Sequence, residues 1–115
     1  MESLEALNAE LLAEIDMDDC DFIKVRYLLQ RGADGNARHP DGTPALISAI
    51  RRRREAVVLE LLKHDGVDVN STNAHGDNAL MCALEWGNEA VLSEFLKHDG
   101  VDVNRTNARG DTALI

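Results

Sequence analysis

The chain is 115 residues long, with 44% hydrophobic and only 3% aromatic residues, and it carries a formal net charge of −9. This length fits one domain with a modest core, and the acidity argues against nucleic acid or an anionic membrane as partner, because both require a basic face. Two cysteines, Cys20 and Cys82, fit no metal-ligand spacing, and no apolar run is long enough for a signal peptide or a membrane span. We therefore expect a cytoplasmic location, with the nucleus as the alternative.

The N-terminal segment is strongly acidic. Residues 1–23 contain eight acidic residues and no Lys or Arg. Apolar residues at helical spacing predict a first helix from Leu4 to about Ile15, with an acid-rich face turned to solvent. The contrast with the unbroken basic run Arg51–Arg54 indicates that the acidic end and the basic centre of the chain face different neighbours.

Two interleaved glycine series divide the rest of the chain into units of 34 residues: Gly32, Gly66 and Gly100, and Gly42, Gly76 and Gly110. A fixed period of this length is typical of repeat proteins. Between the glycines, each unit has two short helical stretches and a polar loop. The apolar residues expected to face the core are Leu46, Ala49, Ile50, Val57, Val58, Leu61 and Leu62 in the second unit, and Leu80, Ala83, Leu84, Val91, Leu92, Phe95 and Leu96 in the third.

The segment that links successive units decides between two kinds of solenoid. A 34-residue period is the nominal value for tetratricopeptide arrays, but the stretch "GVDVNSTNAHGD" favours a short extended pair around a glycine turn over a direct helix link. The first unit, "LLQRGAD", also lacks one residue that "LLKHDGVD" has. The period is therefore 33 residues with one insertion just before Gly66 and Gly100.

The segments "DGTPALISAI", "HGDNALMCAL" and "RGDTALI", paired with "VVLELL" or "VLSEFL" and followed by "GVDVN", resemble ankyrin repeats. The resemblance covers about residues 20–115 and implies an all-α solenoid of stacked helix-turn-helix units joined by short β-hairpin-like loops. Unit boundaries are expected near residues 41, 75 and 109, with a truncated last unit. Residues 1–19 are then interpreted as a divergent N-terminal capping helix.

The doubled phrase "LKHDGVDVN", at Leu62–Asn70 and Leu96–Asn104, contains residue types that bind metals and transfer protons. In a stacked array, however, the copies His64 and His98 would lie about 10 Å apart, too far for one zinc ion. A Lys-His pair instead suits a helix C-terminus, and each glycine suits the end of a helix. With no phosphate-binding loop and no nucleophile beside a base, we expect no enzyme activity, no metal and no cofactor.

The resemblance implies a non-catalytic protein-protein interaction module, whose loop tips and first helices form a concave surface for a polar protein or peptide. The candidate contacts on these elements are Arg38, His39, Asp41, Thr43, Arg51, Arg52, Ala74, His75, Asp77, Glu85, Trp86, Arg109 and Asp111.

Two features of this surface have alternative interpretations. Trp86 and Cys82 fall off the expected core stripe, so Trp86 is either an exposed binding hot spot or a side chain packed over the neighbouring unit. Residues 51–54 are either a solvated charged face or a contact for an acidic partner or an import receptor. Cys82 itself is expected to be a small packing residue.

Two further hypotheses concern the units themselves. The unit ending near Leu96 is expected to lack a neighbour, so that this end either associates with a second copy or docks on another domain of a longer chain. Asn70 and Asn104 occupy positions that resemble acceptor asparagines for hydroxylation in this family. The alternative is that both asparagines bind the backbone of the turn.

Overall fold

The computed structural model describes residues 3–64, 66–86 and 89–98. These ranges form three pairs of helices: α1 (Leu4–Asp16) with α2 (Phe22–Gln30), α3 (Ala45–Arg51) with α4 (Glu55–Lys63), and α5 (Ala79–Trp86) with α6 (Glu89–Lys97). The first helices stack in the order α1, α3, α5, and the second helices stack in the order α2, α4, α6. The predicted all-α stack of helix pairs is confirmed for this part of the chain.

Helix α1 begins where the sequence predicts, because the Ser3 hydroxyl accepts the Ala6 N–H at 3.1 Å as an N-cap. From the sequence, the acidic residues of α1 are expected to face solvent, but not all of them do. Glu14 is buried and its carboxylate accepts the Asp21 N–H at 2.9 Å. Asp21 is in turn the N-cap of α2. One carboxylate of α1 thus fixes the start of the helix that follows it.

The loops between the pairs repeat one hydrogen-bond pattern. In the first, the His39 N–H donates to the Thr43 carbonyl at 2.9 Å around Gly42, whose φ is +91°. In the second, the Asn73 N–H donates to the Asp77 carbonyl at 3.0 Å around Gly76, whose φ is +80°. The extended pair predicted around each glycine is confirmed, although within the described residues it is a single bridge and not a strand.

The core predicted for the second unit is confirmed, since all seven of its apolar residues are buried. In the third unit the prediction is wrong for Leu84 and Leu96, which are 48% and 66% exposed. Cys82, which falls off the expected stripe, is only 2% exposed. The counterparts of these leucines in the second unit, Ile50 and Leu62, lie on the side of α3 and α4 against which α5 and α6 pack. Helical spacing identifies the residues on this side of a helix, but it does not show whether another helix pair packs on them.

Of the three glycines expected to end helices, Gly100 lies outside the described residues, and Gly32 and Gly66 have different roles. At the end of α2, the Gly32 N–H donates to the Leu29 carbonyl and the Ala33 N–H donates to the Leu28 carbonyl, a Schellman cap. The segment from the first residue of the helix to the following glycine is one residue longer in the second unit (Glu55–Gly66) than in the first (Phe22–Gly32). Among the described residues, α4 has no Schellman cap. Gly66 instead lies in a turn closed by the Val67 N–H and the His64 carbonyl at 3.2 Å. The insertion therefore changes how the second helix ends.

Helix α3 ends in a Schellman cap that places an arginine where glycine is preferred. The Arg53 N–H donates to the Ile50 carbonyl and the Arg54 N–H donates to the Ala49 carbonyl. This geometry holds Arg53 at a φ of +59°, and among the described residues it is the one non-glycine residue with positive φ. A left-handed backbone costs an L-residue about 1–2 kcal/mol. The sequence has a glycine, Gly87, 34 residues later.

Asparagines connect successive loops. Oδ1 of Asn36 accepts the Asp68 N–H at 2.6 Å, and Nδ2 of Asn36 donates to the Gly66 carbonyl at 2.8 Å. One pair earlier, Oδ1 of Asn8 accepts the Asp34 N–H at 2.7 Å, although Asn8 lies on a helix. Each amide thus satisfies backbone groups of the next loop, which would otherwise bond only to water.

We predict that Arg53→Gly stabilises the protein by about 1 kcal/mol, because glycine adopts positive φ without the steric cost of a Cβ. Urea-induced unfolding measures the change in free energy. Arg53→Ala is the matched control, since it removes the same charge but keeps the Cβ. If both variants change stability equally, the left-handed backbone at this position carries no strain.

We predict that Asn36→Ala destabilises the fold by about 1–2 kcal/mol, because two hydrogen bonds between loops are lost. Gln30→Ala is the control, since Gln30 is an exposed amide with no such bond between units, and its effect should stay within about 0.5 kcal/mol. Thermal and urea unfolding of both variants give the comparison. Equal stability of the two variants would contradict a linking role for Asn36.

Candidate functional site

A cleft on the layer of first helices lies between the end of α1, the first loop and α3. Its volume is about 540 Å³, within the range of ligand-binding pockets. The residues that line it are Asp16, His39, Pro40, Asp41, Thr43, Ser48, Arg51 and Arg52. Five of these eight residues are candidate contacts from the sequence, so the fold brings part of the predicted surface together.

Asp16 is the polar centre of this cleft. Its carboxylate accepts the Ser48 hydroxyl at 3.0 Å and lies 3.0 Å from Nε of Arg52. Nδ1 of His39 lies 3.7 Å from the same carboxylate. Sequence reasoning missed Asp16 and Ser48, because it treated the acids of α1 as one solvent-facing set. The signal for Ser48 is a hydroxyl within the otherwise apolar run Ala45–Ile50.

The side chains of Ser48, His39 and Asp16 superficially resemble a catalytic serine arrangement. Nε2 of His39 lies 3.3 Å from the Ser48 hydroxyl oxygen. The Ser48 hydroxyl, however, donates its proton directly to Asp16, and Ser48 is only 6% exposed within a helix. A serine nucleophile requires a histidine base on that proton and an open approach for the substrate. This arrangement orders the wall of the cleft and provides no activated nucleophile.

The remaining candidates of the first loop mainly support the loop itself. Arg38 donates from Nη1 to the carbonyls of Gly42 and Thr72, both at 2.8 Å, and so joins the two loops. Asp41 is exposed and accepts the Thr43 N–H at 3.0 Å. This hydrogen bond holds the pKa of the Asp41 carboxyl below its usual value. Asp41 therefore presents a charged carboxylate at the loop tip.

The second loop places Ala74 and His75 at an exposed tip, with Asp77 partly buried beside them. Oδ1 of Asn73 accepts the N–H groups of His75 and Asp77, at 2.9 and 3.1 Å. Nδ2 of Asn73 is buried and has no hydrogen-bond partner among the described residues. The shape of this tip thus depends on one amide that sequence reasoning did not single out.

Trp86 has features of both interpretations given from the sequence, the exposed hot spot and the side chain packed over the neighbouring unit. It is partly exposed, yet it packs against the hydrophobic core, while the adjacent Glu85 is exposed. The Arg51 guanidinium lies over the indole ring, 5.1 Å from its centroid, in cation-π contact. Trp86 also borders a second cleft of about 110 Å³, whose other lining residues are Ile50, Arg53, Arg54, Glu55, Val58 and Val91.

The basic run is not one uniformly solvated face. Arg52 pairs with Asp16 at 3.0 Å. Arg54 is partly buried and donates to the main-chain carbonyls of Ile15 and Met17 at the end of α1. The solvated-face interpretation is therefore wrong for Arg54, which satisfies helix-end carbonyls, whereas Arg52 is exposed and pairs with a carboxylate at the surface.

Arg109, Asp111 and Asn104 lie outside the described residues. The N–H of Asn70 donates to the Asp68 carboxylate at 2.9 Å, so Asp68 is a hydrogen-bonding loop residue. Asn36, the counterpart of Asn70 one unit earlier, uses both ends of its amide in the loops. This geometry favours the interpretation of Asn70 as a turn asparagine.

The two thiols offer little reactivity. Burial raises the pKa of Cys82 to about 11 and also raises the pKa of Cys20, so the reactive thiolate form is disfavoured at neutral pH. The expected packing role of Cys82 is confirmed. Within residues 3–64, 66–86 and 89–98, no three His, Cys, Asp or Glu side chains form a group that could hold a metal ion.

None of the helices in the described part of the chain combines the length and apolar character needed to cross a membrane. A comparison with curated protein sequences gave no significant match. The family model for ankyrin repeats (3 copies) matches residues 15–107, which include α2 to α6 and both loops. Together with the stacked helix pairs and the glycine-centred loops, this match shows that the chain belongs to the ankyrin-repeat family.

Proposed function

We propose that this chain is a non-catalytic protein-protein interaction module, which binds another protein or a peptide across its loop tips and first helices. Ankyrin repeats are generally protein-protein interaction modules and are typically non-catalytic. The proposed contacts are the sequence candidates Arg38, His39, Asp41, Thr43, Arg51, Arg52, Ala74, His75, Asp77, Glu85, Trp86, Arg109 and Asp111.

The observation that carries this proposal is the cleft of about 540 Å³ beside the stacked Arg51 and Trp86. Trp and Arg are enriched among residues that dominate binding energies at protein interfaces. A half-buried tryptophan that is held by the core loses little conformational freedom when a partner covers its exposed edge. The exposed loop tips at Asp41 and His75 extend this surface along the stack.

Partner capture from the native cell tests the proposal. We expect Trp86→Ala to reduce recovery of specific partners at least about tenfold, the loss of one interface hot spot. Tyr27→Ala is the matched control: Tyr27 is 50% exposed on a second helix and also has an arginine, Arg31, over its ring. Both variants are first compared by thermal unfolding. Unchanged capture by a folded Trp86→Ala variant, or an equal loss with Tyr27→Ala, would contradict the proposed surface.

A second candidate function is assembly through the outer side of the third helix pair. Leu84 and Leu96 are exposed there, whereas their counterparts Ile50 and Leu62 are buried. Exposed apolar side chains at positions that otherwise bury an interface mark a surface for association. In this function a second copy, or another domain, packs on α5 and α6.

Sedimentation at several protein concentrations tests the second candidate. The double variant Leu84→Glu/Leu96→Glu should remain monomeric under conditions in which the wild-type chain associates. Ile23→Glu is the control, since Ile23 is 64% exposed at the other end of the stack. Association that persists in the double variant, or a wild-type chain that is monomeric throughout, would rule out assembly through this face.

A further inference from the structure

We propose that Arg51, stacked on Trp86, is the binding point for a carboxylate side chain of an acidic peptide segment in the partner. The inference rests on the proposed function and adds the chemical class of the ligand.

The other charged groups of the main cleft have partners within the fold. Asp16 accepts hydrogen bonds from Ser48 and pairs with Arg52, and Asp41 accepts the Thr43 N–H. Arg51 differs, because its guanidinium forms no hydrogen bond or ion pair with any residue in the described ranges and instead lies over the ring of Trp86. Five N–H donors with a full positive charge thus remain for a ligand.

The stack fixes how these donors are presented. A guanidinium whose face lies over an aromatic ring keeps its N–H groups in the plane, where they point away from the ring. A carboxylate accepts two parallel N–H groups of such a fork, and these charge-assisted hydrogen bonds are stronger than neutral ones. Because Trp86 packs against the core, the arginine loses less side-chain freedom on binding than a fully mobile surface arginine would.

The second cleft supplies an apolar neighbour for the carboxylate. Trp86 borders this cleft, whose lining combines the apolar side chains Ile50, Val58 and Val91 with Arg53, Arg54 and Glu55. Arg53 also lines this cleft, and its guanidinium has no hydrogen bond or ion pair with a described residue. A peptide with an aliphatic residue next to acidic ones would match both the cleft and the two unpaired arginines.

The net negative charge of the chain allows local binding of an acidic peptide to be distinguished from nonspecific adhesion. A net charge of −9 disfavours general adhesion of polyanions, so affinity for an acidic peptide has to come from a local site. The same charge argues for a peptide as the ligand and against nucleic acid, whose many phosphates would be repelled together.

The experiment uses the blocked hexapeptide acetyl-Gly-Leu-Glu-Glu-Leu-Gly-amide and its counterpart with both glutamates replaced by glutamine. Anisotropy of labelled peptides measures affinity, and the emission of Trp86, which is the single tryptophan of the chain, locates the binding. We expect a saturable emission change with the glutamate peptide and at least about fivefold weaker binding of the glutamine peptide, as expected for a lost charge-assisted bond near the surface.

Variants then assign the effect to Arg51. Arg51→Gln should weaken binding of the glutamate peptide at least about fivefold and leave the glutamine peptide unchanged. Arg51→Lys, which keeps the charge but loses the planar fork, should give an intermediate loss. Arg31→Gln is the matched control, because Arg31 stacks on Tyr27 outside the cleft, at 5.8 Å from the ring centroid, and it should bind like the wild-type chain.

Three results would overturn the inference: equal binding of the two peptides, wild-type affinity in a folded Arg51→Gln variant, or no binding of the glutamate peptide up to about 1 mM. If Trp86→Ala still loses its cellular partner in any of these cases, the interaction surface stands and only its proposed ligand is wrong. A phosphoserine version of the peptide that binds at least about tenfold tighter would replace the carboxylate with a phosphate as the recognised group.

Discussion

The burial of α3 between its neighbours is the constraint on which the rest of the molecule depends. Its residues Ala45–Ile50 are all buried, which an isolated helix pair cannot achieve because one side of each helix would face water. Here α1 and α5 flank α3 in the first layer, and α4 packs on it from the second. Full burial of a leucine or isoleucine side chain contributes about 1.5–3 kcal/mol, so α3 obtains its stability from adjacent pairs, as expected of a stacked repeat.

Polar links between the pairs keep the stack in register, and two arginines take part in them. Arg38 connects the two loops through the carbonyls of Gly42 and Thr72, and Asn36 connects the first loop to Gly66 and Asp68. Arg54 binds two carbonyls at the end of α1, where α1 itself leaves them without intrahelical partners. A basic run in an acidic chain is thus in large part a structural joint between the first and second units.

The sequence predicted the repeating parts of the fold and failed where a contact joins distant segments. Glycine spacing and apolar periodicity were sufficient for the helix pairs, both loops and the whole core of the second unit. They could not show that Leu84 is exposed, because an eight-residue helix of mostly apolar residues supports more than one choice of buried face. They also missed the bonds from Arg52 and Arg54 to the end of α1, since a run of charges does not show which backbone or carboxylate groups lie opposite each arginine.

The candidate site is identified by comparing the side chains that form bonds within the fold with those whose polar groups can still bind a partner. In the main cleft, Asp16, Ser48 and Arg52 form bonds with one another, and Arg38 supports the loops. Arg51 has its orientation fixed by Trp86 but keeps all its hydrogen-bond donors. Holding this charge in place costs the folded protein little, because the indole ring replaces part of its hydration while the donors still reach water. A side chain that is ordered before binding and still has unsatisfied donors is suited to recognition, because a partner gains its hydrogen bonds without paying for its ordering.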